Sequence, residues 1–507
     1  MFLQTAAFVI SLILHPLLMA VSLAAWCLRT VCGCVALLSS HHGRLQPLNR
    51  TEVMMLQAET VESPAIISIV FFADDGLSLA HMLEAVKERW VDKHERLKCT
   101  LKRVLWRWCL SYDKGDGRFD VRNHVLQVPH DCVREEIRRS GKMPSLGAPL
   151  LLPLRDLREY LDICINGDLP MSRPAWQIKV IPQCEGLDGA PSTIFVWRIH
   201  HLLGDGAALV RMITKELFDR DETASISKSF SHLPSLSMWD RLAMYASMLF
   251  YAPLPILALP LLPSIPSWDP PPSSRSAPHR PSPGGLRQVS LPRCISMDEL
   301  RSVRMSDQVL MAAGASKVSI NEVFVSLVVG AIVRYINKTH GGDRNAAEGE
   351  LPSPLSTWRD AMFVWPVNLR TGELKTLSNS FFNAFAVLPL VADASSPLER
   401  LGCVWLYQCP SCLAEAILKP IRSKISMFVS NVPGPQRLSP VKGIALRHCF
   451  FAPPIMGNVG VGVTAFSYSN GLWVAAGSDL RTVKSPDMLL DCIMEEFQAL
   501  KMACGCP

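Results

Sequence analysis

The sequence predicts a mixed α/β protein of two similar lobes, preceded by a membrane helix. Three observations carry this. Each half of the chain interleaves β-rich runs with amphipathic helix patterns. A proline- and serine-rich segment separates the halves: 12 of the 38 prolines fall between residues 253 and 292. The first 28 residues contain no Lys, Arg, Asp or Glu. The resulting organisation is an N-terminal anchor over 1–40, a first lobe over 45–240, an apolar segment and crossover linker over 241–292, and a second lobe over 293–503.

Composition sets the frame for this division. The 507 residues are 49% hydrophobic and 19% charged, whereas an average soluble protein is about 25% charged. Disorder, collagen and a small disulfide scaffold are excluded. A polytopic membrane protein fits poorly, because most of the chain mixes charge with apolar residues. The net charge of +6 is mild, and no basic run with interleaved aromatics marks a nucleic-acid face. The 16 cysteines are scattered; one CxxC, Cys409 to Cys412, has no second pair or neighbouring histidine to make a zinc site. Reduced, cytosol-facing thiols are expected.

The apolar excess has two addresses. Phe8 to Leu28 is uncharged, long enough to cross about 30 Å of hydrocarbon at about 1.5 Å per residue. Pro16 would kink such a helix without forbidding it. A secretory signal would carry positive charge before the apolar stretch. Here the positive charges follow it, at Arg29, Arg44 and Arg50, with no acid before Glu52. The bulk of the chain is therefore expected in the cytosol; a buried N-terminal helix is the plainer alternative. Cys27, Cys32 and Cys34 are candidates for acylation beside that segment. The second stretch, Leu242 to Trp268, is also uncharged but broken by five prolines. It reads equally as a segment dipping into one leaflet or as a buried crossover. Asn49-Arg-Thr51 and Asn337-Lys-Thr339 match the glycosylation pattern, which a cytosolic chain would leave unmodified.

Within the first lobe, Thr193 to Ile199 is a β-rich run that ends in His200-His201-Leu-Leu-Gly204-Asp205-Gly206. A helix pattern follows, with Leu209, Met212, Ile213 and Leu217 on one face. In the second lobe, Ser319-Ile-Asn-Glu322 is a capping box opening a helix with Val323, Leu327, Ile332 and Ile336 inward. Val459 to Ser467 and Leu472 to Ala476 read as a hairpin. A last helix starts at Ser485-Pro486, with Leu489, Ile493, Phe497 and Leu500 on its apolar face.

The chemistry concentrates in the HHLLGDG turn. A loop histidine with an ordinary pKa of about 6.5 suits general-base work near neutrality. Asp205 can fold back to hold the backbone or the ring, and Gly206 permits a tight turn. No GxSxG nucleophile elbow is present, which favours direct transfer to an acceptor over a covalent enzyme intermediate. Taken alone, the motif is equally compatible with an ordinary turn.

His200 to Gly206 resembles the HHxxxDG motif of the CoA-dependent acyltransferase superfamily, and other segments resemble its wax ester synthase/diacylglycerol O-acyltransferase family. Pro47-Leu48 with Glu52 and Glu59 is similar to PLSxxD…E, with Glu for Asp. Arg173-Pro174-Ala175-Trp176 is similar to RPLW, with Ala for Leu, and Asn321-Glu322-Val323 to NDV, with Glu for Asp. Trp365 to Arg370 is similar to PVSLR, and Ser378-Asn379 with Leu388-Pro389 to GN…LP. Ser430 to Pro435 matches SNVPGP and Ser467 to Gly471 matches SYNG. The segments run in family order from about residue 45 to residue 500.

The resemblance implies two chloramphenicol acetyltransferase-like lobes with a tunnel between them. It makes His201 the catalytic base, His200 its support, and Asp205 a structural residue with Arg370 as candidate ion-pair partner. Asn321 and Asn379 are candidates for oxyanion or tunnel support; helix capping is the equal alternative for Asn321. It implies acyl-CoA as co-substrate, fatty alcohol or diacylglycerol as acceptor, membrane lipid as surroundings, no permanently bound cofactor and no metal. The expected address is the endoplasmic reticulum membrane. A plant-type alcohol acyltransferase would carry DFGWG, which is missing, and a condensation domain would sit beside carrier domains for which there is no room. A catalytically silent lipid-binding protein on the same fold is the rival from another class.

Overall fold

The computed structural model describes Val31 and residues 44–58, 65–104, 107–112, 119–147, 150–219, 286–340, 360–368, 377–379, 381–389, 427–435, 439–455 and 459–506. Apart from Val31, the expected anchor over 1–40 lies outside them, as do the apolar stretch Leu242 to Trp268, the linker up to residue 285 and Arg370.

Two mixed sheets organise the chain. The first runs, in spatial order, Ser439–Val441, Ile444–Ala452, Ile66–Asp74, Pro191–His200, Trp176–Glu185 and Val125–Gln127. Its pairs are antiparallel except the last. The second runs Phe381–Pro389, Asp360–Asn368, Met427–Val432, Val461–Tyr468, Gly471–Asp479 and Arg287–Val289, with Arg293–Ser296 also pairing on Gly471–Asp479. Here Met427–Val432 is parallel to both its neighbours. A small antiparallel sheet of Arg44–Pro47, Arg107–Tyr112 and Thr100–Val104 lies apart from both.

The central strands of the first sheet are apolar throughout because both their faces are covered. In Ile66–Asp74, Ile67, Ile69, Phe71 and Ala73 enter one core, while Val70 and Phe72 enter the other. Pro191–His200 divides the same way, with Phe195, Trp197 and Ile199 opposite Ile194 and Val196. Phe71 and Phe195 sit directly across the ladder and stack at 4.5 Å, the aromatic cross-strand pairing that stabilises a sheet register.

The second lobe is built around the helix Ile320–His340, whose Val323, Leu327, Ile332 and Ile336 are all buried. Its start is the expected capping box: Ser319 N–H donates to Glu322 Oε2 at 2.5 Å, and Glu322 N–H donates to Ser319 Oγ at 3.2 Å. Glu reaches back where a shorter Asp would fall short. Ile320–Thr339 is long and apolar enough to cross a membrane, yet most of it is buried against the helix Pro486–Ala503 and the second sheet. An all-round apolar helix of this kind is a core helix. The predicted hairpin forms with Ser469 and Asn470 as its two turn residues, at φ 50° and 61°, the pair of left-handed residues that a type I′ turn requires.

The linear division into halves needs one correction. Ser439–Val441 and Ile444–Ala452 come from the stretch assigned to the second lobe, but they extend the first sheet beside Ile66–Asp74. His448, Phe450 and Ala452 pair with Phe72, Val70 and Ser68. An apolar strand read locally does not reveal which sheet edge it will join.

Phe195→Ala should remove the stack on Phe71 and leave a cavity between the covered faces. A loss of about 3–5 kcal/mol is expected in urea unfolding followed by tryptophan fluorescence.

Candidate active site

The strand Pro191–His200 delivers the two histidines to the end of a central strand of the first sheet. His200 N–H donates to Ala175 O at 2.9 Å and His201 N–H donates to Ala65 O at 2.7 Å, so flanking segments on both sides hold the loop. Ala175 precedes Trp176, whose indole N–H donates to Leu97 O at 2.7 Å. Ala175 is buried, and its backbone carbonyl makes the contact that matters here.

The two rings have separate duties. Leu202 N–H donates to His200 Nδ1 at 3.1 Å, committing that nitrogen to the turn. His201, only 9% exposed, meets Asn379 from the second half of the chain. Asn379 Nδ2 donates to His201 O at 2.8 Å and to Leu202 O at 3.2 Å. Those two bonds orient the carboxamide, leaving its Oδ1 to face His201 Nδ1 at 3.1 Å. An amide oxygen only accepts. The His201 proton therefore sits on Nδ1 and the lone pair on Nε2. Burial pushes the His201 pKa below the usual imidazole range, against the Asp205 charge and the bond to Asn379, which raise it; the neighbouring His200 lowers it further. The ring is neutral at neutral pH.

The rest of the motif divides. Asp205 was expected to hold backbone or ring, and it holds backbone: its side chain is the N-cap of the helix Gly206–Met212, accepting from Ala208 N–H at 3.0 Å. Its influence on His201 is through charge. Gly206 begins that helix without a left-handed φ, and a Cβ there would meet Val432 Cγ2 at an ordinary 3.5 Å. Gly206 is therefore not required by turn geometry.

The two asparagines also part company. Both ends of the Asn379 amide are occupied at His201, so it positions the ring and has no free N–H to offer an oxyanion. Asn321 is half-buried in the first turn of Ile320–His340. No hydrogen bond among the described residues joins it to the histidine loop. The proposed partner of Asp205, Arg370, lies outside the described residues.

A second ring of contacts was not read from the sequence as part of the site. Asn49 and Glu52 form a reciprocal cap: Asn49 N–H donates to Glu52 Oε2 and Glu52 N–H to Asn49 Oδ1, both at 2.9 Å. Asn49 Nδ2 donates to Asn379 O at 3.0 Å. Glu52 also holds Arg96 Nη2 at 2.5 Å, and the same Nη2 donates to Leu202 O at 2.8 Å. The Pro47-Leu48…Glu52 segment thus braces the histidine loop from one side and Asn379 from the other. The Asn49 amide is engaged here, so a glycan on it would break the bond to Asn379. The only sequence signal was the acid at the family's PLSxxD position; Arg96 carried none.

The later motifs brace the opposite side. Gly434 N–H donates to Ser467 Oγ at 2.9 Å, and Ser469 N–H donates to Pro435 O at 3.1 Å. A Cβ on Gly434 would lie 2.4 Å from the Phe466 ring and from Ser467 O, so glycine is needed for this close approach. Val432, in the same run, is the residue that faces Gly206. Among the described residues, no three His, Cys, Asp or Glu side chains gather as a metal site.

Comparisons with known proteins bear on the family and the fold. Residues 403–501 match the family model described as the WS/DGAT C-terminal domain, a range that contains both Ser430–Pro435 and Ser467–Gly471. The fold is similar to that of the wax ester synthase/diacylglycerol acyltransferase from Marinobacter aquaeolei VT8, at TM-score 0.59 and 16% identity over 91% of this chain and 100% of that one. It is also similar to the first condensation domain of the calcium-dependent antibiotic synthetase, at 0.52 and 12% over 91% and 96%. A third likeness is to the EpoB cyclization-docking bidomain from Sorangium cellulosum, at 0.52 and 13% over 92% and 87%. No curated protein matches the chain by sequence. The mixed α/β architecture read from the sequence is thus the fold shared by these acyltransferases and condensation domains.

Glu52→Ala should leave Arg96 without its buried partner and lower stability by about 3–5 kcal/mol in urea unfolding. Glu135→Ala, which breaks exposed pairs with Arg138 and Arg139, should shift the same curve by less than about 1 kcal/mol.

Proposed function

We propose that this chain is a membrane-associated O-acyltransferase that moves a long-chain acyl group from acyl-CoA to a fatty alcohol, a diacylglycerol or both. The observation that carries the reading is the state of His201: buried, neutral, its proton held on Nδ1 by Asn379 and its lone pair on Nε2. A ring so arranged is a general base. The WS/DGAT C-terminal match favours this family's acceptors over those of a condensation domain.

In the proposed step, His201 Nε2 takes the proton of the acceptor hydroxyl as its oxygen attacks the thioester carbonyl carbon. The C–O bond forms and the carbonyl becomes a tetrahedral oxyanion. Collapse breaks the C–S bond, and the departing thiolate takes the proton back from His201, which returns to neutral. The imidazolium formed in between is favoured by the Asp205 charge and by Asn379 Oδ1. With Asn379 committed to His201, Asn321 is the remaining sequence candidate for an oxyanion donor. Acyl-CoA enters as co-substrate, and the scheme calls for no resident cofactor.

Lipid-soluble substrates place the reaction at a membrane. Phe8 to Leu28 and Leu242 to Trp268 supply the apolar segments for this, with the lobes in the cytosol at the endoplasmic reticulum.

His201→Ala should lower acyl transfer by about 10²–10⁴-fold with folding preserved. The assay offers one acyl-CoA with fatty alcohol and diacylglycerol in parallel and reads both products by mass spectrometry. Full activity in that variant would overturn the mechanism.

The acid limb of the rate profile should lie below pH 6.5, because burial lowers the His201 pKa and the base is lost only when the ring protonates. Asp205→Asn keeps a helix cap but removes the charge that raises this pKa, so the limb should move further toward acid. A shift to higher pH would contradict the assignment.

A further inference from the structure

A buried hydroxyl without a hydrogen-bond partner is uncommon in a folded protein, because it gives up water and gains nothing in return. Ser430 is one: it is only 8% exposed, and its Oγ makes no hydrogen bond among the described residues. Its neighbours are engaged. Thr464, its Cα partner in the ladder, donates Oγ1–H to Phe451 O, and Ser467 Oγ accepts from Gly434 N–H at 2.9 Å.

The two faces of the strand Met427–Val432 have different surroundings. Met427 and Val429 enter the core around the helix Ile320–His340. The ladder to Val461–Tyr468 is regular from Phe428 to Val432, so Phe428, Ser430 and Val432 share the opposite face. That face meets the first lobe. Val432 Cγ2 lies 3.5 Å from where a Cβ on Gly206 would stand, and Thr464, beside Ser430, reaches Phe451 of the first sheet.

The histidine loop comes to the same end of the second sheet. Met427–Val432 runs parallel to Asp360–Asn368 with Val364 opposite Phe428, and Asn368 and Val432 each lie four residues beyond that pair. Phe381 pairs with Asn368, so Asn379, which holds the His201 ring, sits just past this end. Gly206 meets the same end at Val432. Ser430 is two residues back from Val432, one side-chain repeat of about 7 Å along the strand.

The acyl transfer proposed above needs a donor for the oxyanion, and Asn379 is committed to the histidine loop. An uncharged hydroxyl that rotates freely and has no competing partner suits that task. We infer that Ser430 donates its hydroxyl hydrogen to the thioester carbonyl oxygen as that oxygen becomes an oxyanion. The inference rests on the transferase reading and supplies the group which that reading lacks. Ser430 keeps its proton throughout; His201 alone takes and returns the proton of the acceptor. The bond strengthens as negative charge builds on the oxygen, so it acts on kcat more than on KM.

Ser430→Ala in the full chain tests this, with transfer measured against acyl-CoA and acceptor concentration. Its kcat should fall by about 10²–10³-fold with KM nearly unchanged. Urea unfolding should find the variant no less stable than the native chain, because the hydroxyl leaves no partner behind. The acid limb of the rate profile should stay where His201 sets it. An unchanged kcat would overturn the assignment, as would a loss confined to KM. A destabilised or unfolded variant would make the hydroxyl structural, and a moved acid limb would show it acting through the ring; either overturns the inference. Transfer by the native chain that Ser430→Ala leaves intact refutes this inference alone, whereas no transfer by the native chain refutes the transferase reading and this inference with it.

Discussion

The side-chain amide of Asn379 is the point on which the site depends. A carboxamide offers an acceptor and two donor hydrogens in one fixed plane. Here the donor end reads the backbone of His201 and Leu202 and the acceptor end reads the His201 ring. Position and tautomer of the His201 ring are set by one group. Aspartate could not donate at one end, and leucine would leave two buried carbonyls and a ring N–H without this partner.

Asn379 is in turn held by a closed circuit. Its carbonyl takes the Asn49 amide, Asn49 and Glu52 cap each other, Glu52 holds Arg96, and Arg96 returns to Leu202 O beside the Asn379 amide itself. In a buried setting an incomplete circuit would leave unpaired polar groups, so its members reinforce one another. The second half of the chain also lends Ile444–Ala452 to the first sheet and sets Val432 against the helix that Asp205 caps. The surroundings of His201 are therefore assembled from distant parts of the sequence.

The same circuit explains what could be read in advance. Features with local causes were legible: the Ser319–Glu322 capping box, the Ser469–Asn470 turn, the apolar face of Pro486–Ala503 and the strand leading to His200. Features made by distant partners were not. His201 and Asn379 are separated by 178 positions, and no periodicity or spacing links them. Asn379 was singled out as a candidate for oxyanion or tunnel support, and the bonds it makes to the histidine loop could not be read from the sequence. Arg96 carried no signal in the sequence. Asp205 was read as a support for ring or backbone, and the helix that begins one residue later decides between the two by taking its side chain as a cap. The strand pair ending at Ala452 was read with its sequence neighbours for the same reason.

His201 shows how opposing effects can suit one group to the acyl transfer proposed. Burial alone favours the neutral ring and makes a ready lone pair at neutral pH, but it equally disfavours the imidazolium that must form when the proton is taken. A base that is only desolvated would be unoccupied and weak. Asp205 and Asn379 act in the other direction. Asn379 does so by a directed bond to Nδ1–H that strengthens as the ring gains charge, Asp205 through its charge. A carboxylate bonded to Nδ1 would raise the pKa strongly and hold the ring protonated over more of the working range, whereas the neutral amide there leaves the resting ring neutral while still favouring its charged form in passing.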